Sequence, residues 1–172
     1  MQRLVLFVAA SALCSSCFPT SAQTSSVKLC VASMQVNGGI NSDTAARDML
    51  VKFLNKEKGD KALSIGNLPI APAMPADALT AAKQEGCDYV VTTNQTENSS
   101  ESSYWGASGV NLQTFFVTIA YKITKVNDGS DVLGASFKAS DKGSAQNAIM
   151  IAMKKIADKV APAIRKAGPV TK

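Results

Sequence analysis

Two apolar runs of strand length, Val27-Lys-Leu-Cys-Val-Ala-Ser-Met34 and Cys87-Asp-Tyr-Val-Val-Thr-Thr93, bracket segments whose apolar residues recur at helical spacing. A nearly continuous apolar run suits a strand covered on both faces. Between the two runs, Ala46, Met49, Leu50, Phe53 and Leu54 place one apolar stripe along Thr44 to Lys56, the mark of an amphipathic helix. Asp43 or Ser42 offers its N-cap, and Lys58-Gly59 stops it. A short strand fits Ala62 to Leu68, before the Pro69 to Pro75 stretch. Pro75 is suited to the first position of a second helix reaching about Glu85, with Gly86 as its stop. Crossover helices of this length imply parallel pairing and right-handed connections.

Beyond Gly109 the periodicity changes. Leu112 to Val126 alternates, with Phe115, Val117, Ile119, Tyr121 and Ile123 on one face. Asn127-Asp128-Gly129 is a hairpin signal, and Val132 to Ala139 makes the returning antiparallel strand. Ser144 to about Val160 reads as the longest amphipathic helix, bent or ended at Pro162. The predicted order is β-α-β-α-β-β-β-α: an α/β (α+β) chain with a mixed sheet of about five strands and helices packed on it. Glu97 to Gly109, rich in Ser, Asn and Gly, reads as a loop joining the third strand to the fourth. It carries Tyr104 and Trp105, the chain's only tryptophan. Exposed Tyr and Trp contact partners with large area at small entropy cost, which makes this pair the partner-binding candidate. The competing reading folds Trp105 back over the sheet as a satellite of the core.

The first residues set the compartment. Arg3, the apolar run Leu4 to Leu13 and Thr20-Ser21-Ala22 before Gln23 form a cleavable secretory signal over residues 1–22. Ten apolar residues fall short of the roughly twenty a membrane span needs. A lipoprotein reading competes, because Cys17 follows Ser15-Ser16 and is a lipidation candidate. Residues 23–172 then form a single domain, with no transmembrane span predicted in it. Its 17 basic and 13 acidic residues (18 basic less Arg3) give a net charge of +4. The basic residues are scattered along the chain and read as solvated positions, so no nucleic-acid partner is expected. Cys30 and Cys87 survive cleavage. An oxidising compartment permits a disulfide, while their apolar surroundings favour buried thiols acting as small hydrophobes.

Several segments resemble the amino-terminal domain of TolB and its relatives in the curli-secretion protein CsgG. "KLCVASM" precedes a helix, "AAKQEGCDYVVTT" follows one, and "YKITKVNDGSDVLGASF" forms a hairpin closed by a long helix. Gly86-Cys87-Asp88-Tyr89-Val90 matches that family's "Gly-Ala-Asp-Tyr-Val", with Cys for Ala. Val126-Asn-Asp-Gly-Ser-Asp-Val-Leu133 is a loose version of its hairpin motif. The resemblance implies a non-enzymatic envelope domain that docks to an envelope protein or cell-wall component. No long amphipathic hairpin able to build a secretion pore is expected.

Chemistry is sparse. The chain has no histidine, which removes the commonest general base and a frequent metal ligand. Two cysteines are too few for a zinc site, and Asn37-Gly38-Gly39 reads as a plain turn rather than a phosphate loop. No cofactor is called for. The carboxylate pairs Asp43–Asp48, Glu97–Glu101 and Asp128–Asp131 could serve a hydrolase, yet capping and turn solvation account for them. A small-ligand binder would use a cleft at the carboxyl ends of the parallel strands. The sequence leaves the oligomeric state open.

Overall fold

The structure, a computed structural model, describes residues 26–36, 41–57, 63–68, 75–105 and 110–168. Seven strands and three helices form in the order β1 (Val27–Val31), β2 (Met34–Val36), β3 (Asn41–Asp43), α1 (Thr44–Glu57), β4 (Leu63–Asn67), α2 (Pro75–Gln84), β5 (Tyr89–Trp105), β6 (Val110–Lys125), β7 (Asp131–Asp141) and α3 (Ala145–Ala167). All seven strands join one mixed sheet. β1 lies between β4 and β5, parallel to both, as crossover helices require. β6 takes one edge of β5 along its whole length, and β7 returns antiparallel to β6. The other edge of β5 is shared end to end: β1 occupies it from Tyr89 to Val91, and β2 reaches it at Asn94.

Alternation along the strands divides the apolar residues between the two faces. Leu29 and Val31, Tyr89 and Val91, and Val117, Ile119, Tyr121 and Ile123 point towards α1 and α3. There they bury Leu50 and Leu54 of α1 and Met153, Ile156, Val160 and Ile164 of α3. The intervening positions Cys30, Ala32 and Val90 face α2 with Ala78, Ala82, Cys87 and Val126. Tyr121 and Phe137 stack on the α3 side with ring centroids 5.9 Å apart.

The sequence motif around Gly86 turns out to be a joint. Gly86 has φ +66° and ends α2, a conformation suited to glycine. Cys87 is disulfide-bonded to Cys30, with 6.0 Å between their Cα atoms. The Asp88 carboxylate accepts from the Lys28 backbone N–H at 2.8 Å, and the Lys28 ammonium donates to the Glu85 carbonyl. The buried Tyr89 hydroxyl donates to the Gly168 carbonyl at 2.8 Å, pinning the end of α3.

Four expectations need correction. The sheet has seven strands, because the first apolar run breaks at Ala32-Ser33 into β1 and β2, and β3 pairs antiparallel with β2. Pro162 lies inside α3, which continues to Ala167; the buried Ile164 beyond it holds the helix on the sheet. Cys30 and Cys87 form a disulfide rather than standing as free thiols, because the parallel β1–β5 pairing brings their elements together. Glu97 to Trp105 is strand rather than loop, so the chain does carry a long hairpin. Asn37-Gly38-Gly39 lies outside the described residues.

Candidate functional site

β7 ends opposite Phe115, and β1 and β2 reach β5 only as far as Asn94. The five pairs from Glu101↔Thr114 to Trp105↔Val110 therefore have no third strand among the described residues. They make a two-stranded arm projecting about 17 Å past the sheet, at roughly 3.4 Å per residue. Nothing in the β5 sequence favours this locally: Asn-Ser-Ser-Glu-Ser-Ser is poor in strand formers. The pairing is imposed by β6, whose alternation runs on from the core.

The root of the arm is fastened across three strands. A register shift between Gln95 and Glu97 marks a β-bulge, which bends the strand where it leaves the sheet. Just beyond it the Thr118 hydroxyl donates to Glu97 Oε2 at 2.7 Å, and Lys138 on β7 lies 3.7 Å from Glu97 Oε1. Lys138 also stands 5.7 Å from the Phe116 ring centroid. The Thr118 hydroxyl, and then the charge of Lys138, hold the Glu97 carboxyl below its ordinary range. Further out the contacts thin. Gln113 Nε2 donates to Ser100 Oγ at 3.2 Å, and the Ser103 hydroxyl reaches the Leu112 carbonyl at 3.4 Å. Asn98 to Ser103 are all exposed, and Leu112, 37% exposed, is a large apolar side chain left in solvent.

The two partner-binding candidates fall at the far end of this arm. Register sets Tyr104 opposite Asn111 and Trp105 opposite Val110, the last pair before residues 106–109. The lipidation candidate Cys17 lies outside the described residues. Two of the three carboxylate pairs, Asp43–Asp48 and Asp128–Asp131, have structural employment, and in the third Glu97 is held at the root of the arm. Asp43 caps α1 through the Ala46 N–H, and Asp48 pairs with Arg47 at 2.9 Å. Asp128 accepts from the Ser130 N–H, and Asp131 pairs with Lys122 at 2.8 Å. Among the described residues no group of three or more Cys, His, Asp or Glu could hold a metal ion.

A second feature has almost no signal in the sequence. Ser33 Oγ, Thr93 Oγ1, Asn94 Oδ1 and Gln95 Nε2 are buried without a hydrogen-bond partner among the described residues. They lie just past the carboxyl end of β1 and where β5 outruns it. A buried polar group left unpaired costs about 1–3 kcal/mol. Only Ser33, a polar residue in the apolar stretch from Leu29 to Met34, hints at them.

No protein-family model matches the chain, and no curated protein aligns with it. Solved structures do share its fold. A PelC dodecamer from Paraburkholderia phytofirmans overlays with a TM-score of 0.56 at 15% identity, covering 77% of this chain and 86% of that one. The hypothetical protein CT253 from Chlamydia trachomatis gives 0.56 at 8% identity, covering 81% and 99%. TolB from Acinetobacter baumannii overlays at 0.46 with 14% identity, covering 83% of this chain and 28% of that one, too loose to carry an argument. At these identities the likeness establishes a shared α/β fold and nothing finer.

Proposed function

We propose that this is an exported, non-enzymatic envelope domain that works by docking to an envelope protein or cell-wall component through the β5–β6 arm. The observation that carries the reading is the arm itself. A two-stranded hairpin without a core is marginal alone, so five unsupported pairs serve little structural purpose. Its outer edges offer unpaired backbone groups for strand addition, and Tyr104 and Trp105 stand at its end. The disulfide suits an oxidising compartment. That agrees with residues 1–22 as an export signal, with or without lipid on Cys17, and 23–172 as one domain. The resemblance to TolB amino-terminal and CsgG-like domains points the same way. A protein of this fold bears the name PelC dodecamer, which supports a scaffold used for assembly. No described helix is long and apolar enough to cross a membrane.

The test is capture from envelope extract by the protein and by a Tyr104→Ala, Trp105→Ala variant of equal thermal stability. A partner retained by the first and lost by the second supports the arm. Equal retention removes the two aromatics from the reading.

A second reading rests on the buried, unpaired groups of β5. Thr93 Oγ1 and Gln95 Nε2, two residues apart and so on one face of the strand, suit a small neutral polar ligand near the carboxyl ends of the parallel strands. A thermal-shift screen of neutral polyols and amides, repeated with Thr93→Val, separates it from docking. A shift abolished by the substitution supports it, and no shift with any compound counts against it.

A further inference from the structure

The lysines that look scattered in the sequence are gathered by the fold. α1 and α3 lie side by side on one face of the sheet, and Arg165 Nη1 donates to the Glu57 carbonyl across their junction at 3.2 Å. Their outward positions carry Lys52 and Lys56 on α1, and Lys154, Lys155, Lys159 and Lys166 on α3, all exposed. None of these six makes an ion pair among the described residues. The two helices contain only three acids, Asp48, Glu57 and Asp158, and Asp48 is already held by Arg47.

We propose that this α1–α3 face binds the surface of an anionic phospholipid bilayer. Three observations favour a bilayer over a soluble polyanion. The basic residues spread over a layer two helices wide rather than lining a groove that would track one polymer strand. At 1.5 Å per residue, α3 alone runs about 34 Å, long enough to lie along a surface. Met150, 41% exposed and four residues before Lys154, adds an apolar side chain to the same helix, the mixture that suits the headgroup boundary. Each lysine near an anionic leaflet adds attraction that falls off within a Debye length.

The experiment is co-flotation of the full protein with vesicles, using a Cys17→Ser form so that no acyl chain contributes. Vesicles of phosphatidylglycerol mixed with phosphatidylcholine are compared with phosphatidylcholine alone. Binding at least tenfold tighter to the anionic vesicles, weakened by added salt, is expected. Lys154→Glu with Lys155→Glu should lose that preference, whereas Lys83→Glu with Lys142→Glu, an equal change of charge elsewhere, should keep it. Circular dichroism melting confirms that both variants fold. Equal binding to both vesicle types overturns the proposal, as does equal loss in both double variants. It is also overturned if an acidic polysaccharide, but not the anionic vesicles, binds and is lost with Lys154 and Lys155.

Discussion

At the scale of single residues, Gly-Cys-Asp-Tyr-Val explains how a short motif can report a fold and stay silent on function. Its members end α2, bridge to β1, hold the Lys28 amide, pin α3 and fill the core, so each is occupied structurally. The disulfide closes a loop with a sequence separation of 57, which corresponds to about 4 kcal/mol of chain entropy. Cys30→Ala with Cys87→Ala should therefore lower stability by up to that amount in a denaturant titration, and reducing agent should have no further effect on the variant. Tyr89→Phe removes only the hydrogen bond to Gly168, at about 1 kcal/mol, and should speed amide exchange at the end of α3 before it affects the sheet. These contacts were invisible in the sequence because each joins residues distant along the chain. The cysteines illustrate it: an apolar neighbourhood predicts burial, and both are buried, but only the β1–β5 register brings them together.

At the scale of elements, the three helices and the core strands were legible because their apolar periodicity is strong. Pro75 opens α2 and Gly86 ends it as the cap rules expect, and the Asn127-Asp128-Gly129 signal sits in the β6–β7 connection. The arm was not legible. Its β5 half has no alternation, and before Tyr104 the Asn98–Ser103 run has no strand-forming residue, so its structure comes from pairing with β6 rather than from local preference. α3 shows the opposite failure, a local rule overridden: Pro162 removes one helical hydrogen bond, yet burial of Val160, Ala161 and Ile164 carries the helix past it. An arm without a core should open readily. Amides of Ser99 to Ser103 are expected to exchange at least a hundredfold faster than those of Val90 to Thr93, read by native-state hydrogen exchange. Ser102→Pro should abolish the arm's pairing while leaving the melting of the domain within about 1 kcal/mol, since nothing buried depends on it.

At the scale of the whole molecule, the fold carries both a helix-covered basic face and an arm that runs past the sheet, a combination no local pattern announced. Stability should depend on pH at both extremes. Hydrogen bonds and neighbouring cations lower the carboxyls of Glu97, Asp128, Asp131 and Asp141, so their contribution is present above about pH 4 and is lost as the pH falls through their folded values. Burial raises the Tyr89 and Tyr121 hydroxyls. Their neutral forms favour the fold below about pH 10, and that contribution is lost as pH rises through the raised values. Denaturant midpoints across the pH range should fall on both flanks.

The most direct test of the docking account is hydrogen exchange of the protein free and bound to whatever envelope component it captures. The account predicts at least tenfold slowing at amides from Glu97 to Trp105 and their partners on β6, with the β4 edge unchanged. Protection elsewhere with the arm still exchanging freely would contradict it.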